Sequence, residues 1–490
     1  MFNKKISTAP KLLTFSDVML LPGRTETDPD DVKLTSHITK RITAEIPYIA
    51  SPMDTVTGAQ MAIAMARIGG VGVLHRNCSI DEEVNMARQV KRAESFVITD
   101  VVTIKPDMTI KKARELMKQS NISGLPVVDD HDKVQGILTK RDVRFASDAD
   151  HILVKDLMSA KVISAKRDIS IEEAQKLLHK HRIEKLVVVD EEEKIEGLIT
   201  VRDLERRGKY PNSTRDEDER LVVGAAIGPF DLKRAKALDP HVDFIVVDLA
   251  HGHNMNALKS AANISKEIEA ELVYGNLGSK EATEDVLSIM EDVAGLRVGI
   301  GSGSICSTSV VTSASAPNLF STLNVASALN ELGSDVPVIS DGGIKNPGDA
   351  ALSFAAGGSS VMMGSLFAGA RESPGQLLSL EGKMMKRIRG MGSRSAKAER
   401  FALDRYAAKG ANSKTIPEGV EGFVPFRGNL SDIVEEFTSG VRAAFGYAGA
   451  GTVKEMWMNG KFGIISSQGA EEARPHDIYP SASGMSDGYQ

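Results

Sequence analysis

Between about residues 93 and 209 the chain repeats itself at a constant offset of 61 residues, so any fold must house the same small unit twice. Gly124-Leu125-Pro126-Val127-Val128-Asp129 returns as Lys185-Leu186-Val187-Val188-Val189-Asp190, and Gly136-Ile137-Leu138-Thr139 as Gly197-Leu198-Ile199-Thr200. Arg141-Asp142 matches Arg202-Asp203, and the apolar helical face Ile110, Ala113, Leu116, Met117 matches Ile171, Ala174, Leu177, Leu178. Each copy reads as a β-α-β-β-α unit: a one-stripe helix, a β-branched strand, an acidic turn, a strand ending in Thr, and a helix opening near Arg-Asp.

The pair resembles a tandem of CBS domains, at about 93–150 and 154–209. That resemblance implies purine nucleotides bound between the copies, with Thr139 and Thr200 at phosphate and Asp142 and Asp203 at ribose. The chemistry suits these types, since a hydroxyl donates to phosphate and a carboxylate accepts from two ribose hydroxyls. The plainer alternative is that Thr and Asp cap the helix that follows.

Outside the repeat, residues 1–92 and 210–490 carry eight strand-like segments: Pro47 to Ala50, Val71 to Leu74, Leu221 to Ile227, Phe244 to Leu249, Leu272 to Asn276, Leu296 to Ile300, Pro337 to Ser340 and Ser359 to Met363. Ala-rich amphipathic stretches separate them, as at Gln60 to Arg67, Ala257 to Ala270 and Asn324 to Leu332. Each strand ends in a polar or Gly cluster, among them Ser51-Pro52-Met53-Asp54 and His75-Arg76-Asn77. Alternating strands and helices with polar carboxyl ends predict an α/β (β/α)8 TIM barrel, into which the repeat pair is inserted after the second strand.

Composition narrows the setting. A net charge of −6, with 42% hydrophobic and 26% charged residues, is that of an ordinary globular chain and requires no nucleic acid partner. Two cysteines, Cys78 and Cys306, build no disulfide framework, and the opening Met-Phe-Asn-Lys-Lys-Ile-Ser-Thr leads into no signal-type apolar region, which points to the cytoplasm. Every apolar run falls short of the roughly 18 residues of a membrane span.

The loop after the sixth strand is Gly301-Ser302-Gly303-Ser304-Ile305-Cys306-Ser307-Thr308. A cysteine on a glycine-rich backbone at the rim of a barrel's active face is a candidate nucleophile, although a lone Cys is usually a small buried hydrophobe. Asp341-Gly342-Gly343 and Gly364-Ser365 stand after strands seven and eight, where barrels most often hold phosphate. Tight turns alone would also explain those glycines. Together they predict a phosphorylated substrate whose reacting atom reaches Cys306.

Six further segments carry a closer resemblance: Leu13-Thr14-Phe15-Ser16-Asp17-Val18, Ala50 to Thr57, Val361-Met362-Met363-Gly364-Ser365, Arg389-Gly390-Met391-Gly392-Ser393, Asp341-Gly342-Gly343-Ile344 and Pro417-Glu418-Gly419-Val420-Glu421-Gly422. With the cysteine loop they are similar to the inosine 5′-monophosphate (IMP) dehydrogenases, which also carry an inserted CBS pair. The resemblance implies that Cys306 adds to C2 of the base, that NAD takes the hydride, and that water hydrolyses the adduct to xanthosine 5′-monophosphate. Thr308 would help activate that water. A flap within about 393–428 would carry Asp404-Arg405-Tyr406, with Arg405 as base beside Tyr406, an unusual role for a guanidinium.

By the same resemblance Ser304, Asp341, Gly343, Gly364 and Ser365 surround phosphate and ribose, and Met391, Gly392 and Glu418 lie near the base. Asp248, Asn276, Arg297 and the Glu418-Gly419 edge would face NAD, although Asp248 and Asn276 would also serve as helix caps. Carbonyls of Gly301, Gly303 and Cys306 would hold K+, completed by Glu472-Ala473-Arg474 of a neighbouring subunit, in a homotetramer.

Three departures stand out. Ile388 replaces the usual Tyr before Arg-Gly-Met-Gly, removing one phosphate hydrogen bond worth about 1.5–3 kcal/mol. The run Ser313-Ala314-Ser315-Ala316-Pro317-Asn318 lacks the usual glycine turn, which predicts a looser loop, and Leu249 replaces a frequent Thr. GMP reductase shares the barrel, cysteine and phosphate site but performs no hydrolysis, so Asp404-Arg405-Tyr406 favours the dehydrogenase. A catalytically silent sensor built on the repeat pair, and a flavin barrel that would purify yellow, are the other rivals.

Overall fold

Strands buried on both faces are mostly apolar along their length, and eight such runs close into one barrel. The computed structural model describes residues 2–93, 97–98, 101–120, 122–144, 146, 149–202, 204, 209–398 and 416–475. The barrel strands are β1 Tyr48–Ala50, β2 Val71–Leu74, β3 Val223–Ile227, β4 Phe244–Val247, β5 Glu271–Leu277, β6 Val293–Val298, β7 Val338–Asp341 and β8 Ser360–Met363. Each pairs in parallel with the next, and β8 returns to β1 through Val361 opposite Tyr48. Between and after them run α1 Ala59–Arg67, α2 Ile80–Arg92, α3 Leu232–Leu238, α4 Met255–Ser265, α5 Lys280–Ile289, α6 Asn318–Glu331, α7 Pro347–Ala355 and α8 Leu430–Ala448. This is a (β/α)8 barrel, as the alternation predicts.

Alternate residues of the strands fill the lumen: Ile49, Val73, Ala226, Phe244, Val246, Val273, Ile339 and Met362 form one apolar cluster with Ile38. A Cβ on Gly224 would stand 2.4 Å from the Phe244 ring, so only glycine admits that ring. Tyr48, Val361 and Met363 pack outward with α7 and α8, where Phe354 and Phe445 meet edge to face at 5.7 Å.

Several boundaries differ from expectation. Strand six runs over Val293–Val298 and not Leu296 to Ile300, because Gly299 takes φ +109 and leaves the extended region. The helix expected to reach Ala270 stops at Ser265, since the Glu269 and Ala270 amides donate to Asp239 Oδ1 at 2.9 and 2.8 Å. The helix expected from Asn324 begins at Asn318, directly after Pro317. The Ser313 to Asn318 run is pinned by Ile300 and Ala316 pairing antiparallel and by Ser315 Oγ donating to the Ile300 carbonyl at 3.0 Å, so it is not loose.

The chain divides into two compact units, one of residues 1–91, 212–216 and 221–490, the other of 92–211 and 217–220. In the second unit strands Gly124–Val128 and Val134–Thr139 recur as Lys185–Val189 and Ile195–Thr200, and both hairpins break register at the Gln135 and Glu196 positions, again 61 apart. Helices Ile110–Gln119 and Ile171–His181 bury Ala113 and Ala174 against these hairpins. The leading strand is unequal: Ser164–Ala165 pairs with the second hairpin, whereas among the described residues the first copy has the single bridge from Ile104 to Val127 in its place. No helix among the described residues is long and apolar enough to cross a membrane.

Candidate active site

The loops at the carboxyl ends of β1 and β5 to β8 line an open cleft. Its wall includes Ser51, Met53, Asn276, Arg297, Gly301, Ser304, Cys306, Thr308, Asp341, Gly343, Gly364, Ser365, Met391, Gly392 and Glu418. Gly342 and Gly343 take φ +83 and +76, a backbone that turns successive amides to one side and suits an anion.

Cys306 lies two residues before the short helix Thr308–Thr312, and its amide donates to the Gly303 carbonyl at 3.0 Å. Its thiol donates to Thr308 Oγ1 at 3.2 Å, and the Thr308 hydroxyl donates to Glu418 Oε2 at 2.9 Å. Glu418 reaches the site because its segment is sewn to the cysteine loop: Gly419 pairs with Cys306, the Val420 amide donates to Ile305 O at 3.0 Å, and the Ser307 amide donates to Glu418 O at 3.2 Å. The second cysteine is different. Cys78 is buried, and burial with the nearby Glu83 charge pushes its thiol up to about 12.

A second polar set crosses the barrel mouth. Asp341 Oδ2 accepts from Asn276 Nδ2 at 2.9 Å and from Arg297 Nε at 2.9 Å, and Arg297 Nη1 donates to Asp248 Oδ1 at 3.2 Å. Asp248 also takes Arg76 Nε at 3.4 Å. Asn276 Oδ1 is buried without a hydrogen-bond partner among the described residues.

Of the residues expected to face NAD, Asn276 and Arg297 line the pocket, while Asp248 does not, because it lies beneath the wall between two guanidinium groups. Gly419 enters through its backbone pairing with Cys306. Arg405, Tyr406 and Asp203 lie outside the described residues. Asp142 Oδ2 accepts from the Thr139 amide and hydroxyl, both at 2.7 Å, which is the helix-capping alternative realised in the first copy. Thr200 ends its strand at the equivalent position. Ala473 and Arg474 line a second cavity shared with Gly301 and Ser302, without Glu472. Ile388 is buried in the apolar cluster behind the pocket and is not part of its wall.

Sequence reasoning passed over four residues that brace the site. Arg76 holds Asp248, and Arg389 Nε donates to Asp54 Oδ2 at 2.9 Å while Asn77 Nδ2 donates to the same oxygen at 2.8 Å. For Asp54, Arg76 and Asn77 the signal was their place in the polar clusters that end β1 and β2, which marks a strand end without naming its partner.

A (β/α)8 barrel with a thiol on its sixth loop and amide-rich turns after strands seven and eight defines a nucleotide-type barrel enzyme site. Comparison with known proteins carries this further. The family model of the IMP dehydrogenase / GMP reductase domain matches residues 12–476, and the chain belongs to that family. It is 48% identical to an inosine-5′-monophosphate dehydrogenase of Korarchaeum cryptofilum, over 95% of this chain and 97% of that one. It is 45% identical to the protein of that name from Thermoplasma acidophilum, over 98% and 97% of the two chains. Among solved structures it is similar to GMP reductase from Trypanosoma brucei in complex with guanosine 5′-monophosphate, with TM-score 0.85, 33% identity, and coverage of 97% of this chain and 100% of that one.

Proposed function

We propose that this protein oxidises IMP to xanthosine 5′-monophosphate with NAD, through a covalent adduct on Cys306, in guanine nucleotide biosynthesis. The observation that carries the reading is the Cys306–Thr308–Glu418 hydrogen-bond chain at the pocket wall. As Sγ adds to C2 of the base, its proton has a path through the Thr308 hydroxyl to the Glu418 carboxylate. Phosphate would meet the amides of Gly343 and Gly364 with the Ser365 and Ser304 hydroxyls, and Asp341 would accept from ribose. Met391 and Gly392 would flank the base. For hydrolysis, Thr308 would align the attacking water, and Arg405 with Tyr406 on the flap would complete the step.

The pocket suits the nicotinamide cofactor, since the buried acceptor Asn276 Oδ1 needs a donor of the kind a carboxamide presents. Asn276, Arg297 and Gly419 would hold it, with Asp248 bracing Arg297. When bound, NAD would supply the acceptor for the hydride that leaves C2. A potassium ion suits the neutral carbonyls of Gly301, Gly303 and Cys306. The carbonyls of Glu472, Ala473 and Arg474, at the end of the short helix Ser467–Glu472, are of the same donor type. The homotetramer belongs to this proposal, as does the assignment of 93–209 as a CBS pair sensing purine nucleotides through Thr139, Asp142, Thr200 and Asp203.

GMP reductase is the second reading, favoured by the likeness to the trypanosomal structure. Purified protein with IMP, NAD and K+ is expected to form NADH and xanthosine 5′-monophosphate. Ammonia and IMP from GMP and NADPH, with no product from the first mixture, would replace the dehydrogenase by the reductase.

A further inference from the structure

We infer that Arg76 is a positioning residue for Asp341, acting through Asp248 and Arg297 without touching substrate; the inference rests on the nucleotide site proposed above. The four side chains come from four places: the loop after β2, the end of β4, β6 and the last residue of β7. Arg76 is among the largest fully buried side chains of the protein and is absent from the pocket wall. It grips Asp248 twice, with Nε 3.4 Å from Oδ2 and Nη2 donating to the backbone carbonyl at 3.2 Å. The other carboxylate oxygen of Asp248 takes Arg297 Nη1 at 3.2 Å. The opposite edge of that guanidinium presents Nε and Nη2 to Asp341 Oδ2, each at 2.9 Å.

Charges therefore alternate as Arg76, Asp248, Arg297, Asp341, and the set is neutral. A guanidinium is a rigid plane, so the direction of Nη1 dictates that of Nε and Nη2. Without Arg76, the buried Asp248 carboxylate keeps Arg297 as its remaining charge partner in this set, and an uncompensated buried charge is costly. It either draws Arg297 toward itself or takes a proton and releases it, and in either case the two-sided grip that fixes the angle of the fork against Asp341 is lost. Three donors from Arg297 and Asn276 converge on Oδ2, so the direction in which Oδ1 faces the pocket is set by this chain of contacts.

The experiment is a double-mutant cycle on the full-length protein, reading nucleotide dissociation constants by calorimetry and KM and kcat by NADH formation. Arg76→Met is expected to weaken IMP binding about 3- to 30-fold and to raise KM more than it lowers kcat. Arg76→Lys, which restores the charge without the two-edged grip, is expected to recover part of the loss. In an Asp341→Asn background, Arg76→Met is expected to change affinity less than about twofold, because the group it aligns is gone. An equal loss in both backgrounds, or no loss in either, overturns the positioning role. Should Arg76→Met fail to fold, the same cycle with Arg76→Lys decides. If the wild type binds IMP or GMP but makes no xanthosine 5′-monophosphate, the dehydrogenase reading fails while the cycle still tests Arg76; a wild type that binds neither nucleotide overturns both.

Discussion

The Cys306 thiol and the Thr308 hydroxyl stand 3.2 Å apart, with the thiol donating and Thr308 passing its own hydrogen to Glu418 at 2.9 Å. The nucleophile thus shares one hydrogen-bond line with a carboxylate 112 positions further along the chain. Replacing Cys306 by Ala is expected to abolish product formation while leaving the IMP dissociation constant within about threefold. Release of xanthosine 5′-monophosphate by Cys306→Ala at a rate near wild type would remove the covalent step.

Thr308→Val cuts the line without removing the thiol. Proton transfer by a positioned group contributes about 10²–10⁴-fold, so kcat is expected to fall by about two orders of magnitude. Rapid-quench kinetics would read this as a slowed chemical step, and an unchanged kcat would sink the relay.

The two cysteines are expected to react differently with iodoacetamide. Burial holds the Cys78 thiol up at about 12, so at pH 8 its thiolate fraction is on the order of 10⁻⁴, and labelling there becomes appreciable only as pH climbs toward 12. Peptide mapping at pH 8 should find label on Cys306 alone, and none in Cys306→Ala. Modification of Cys78 in the folded protein at that pH would contradict its burial.

Ile388 separates packing from phosphate binding. It is buried among apolar side chains, so Ile388→Ala is expected to cost about 2–5 kcal/mol of stability. The KM for IMP should move less than twofold, since Ile388 does not line the pocket. Denaturant titration together with steady-state kinetics checks both, and a large KM effect without destabilisation would place the side chain at the phosphate after all.

Asp54 on the first barrel loop accepts from Arg389, the residue before Gly390 to Gly392, and from Asn77 on the second barrel loop. Asp54→Ala leaves a nearly buried guanidinium without this partner and is expected to destabilise by about 3–5 kcal/mol. Asp54→Ala with Arg389→Met should recover part of that loss in a thermal melt; full additivity of the two losses would show that the pair is not coupled.

Some of this protein could be read residue by residue along the chain. Runs such as Phe244–Val247 are apolar at every position because both faces of a barrel strand are buried, and polar clusters follow because those ends meet solvent and ligand. The offset of 61 residues survives down to the register break in each hairpin, since hydrophobic spacing and turn chemistry are local properties. Cys306, Asp341, Gly343 and Gly364 could be placed at the site for the same reason: each stands at a strand's carboxyl end or on the loop that follows.

What local pattern does not encode is which distant groups meet. Glu418 reaches Thr308 only because its segment pairs with the cysteine loop, and Arg389 finds Asp54 from 335 positions away. Asp248 has the look of a ligand at a strand end, yet two guanidinium groups brought in by β2 and β6 cover it. Barrel closure sets those neighbours, and the cost of burying a charge without a partner makes them ion pairs.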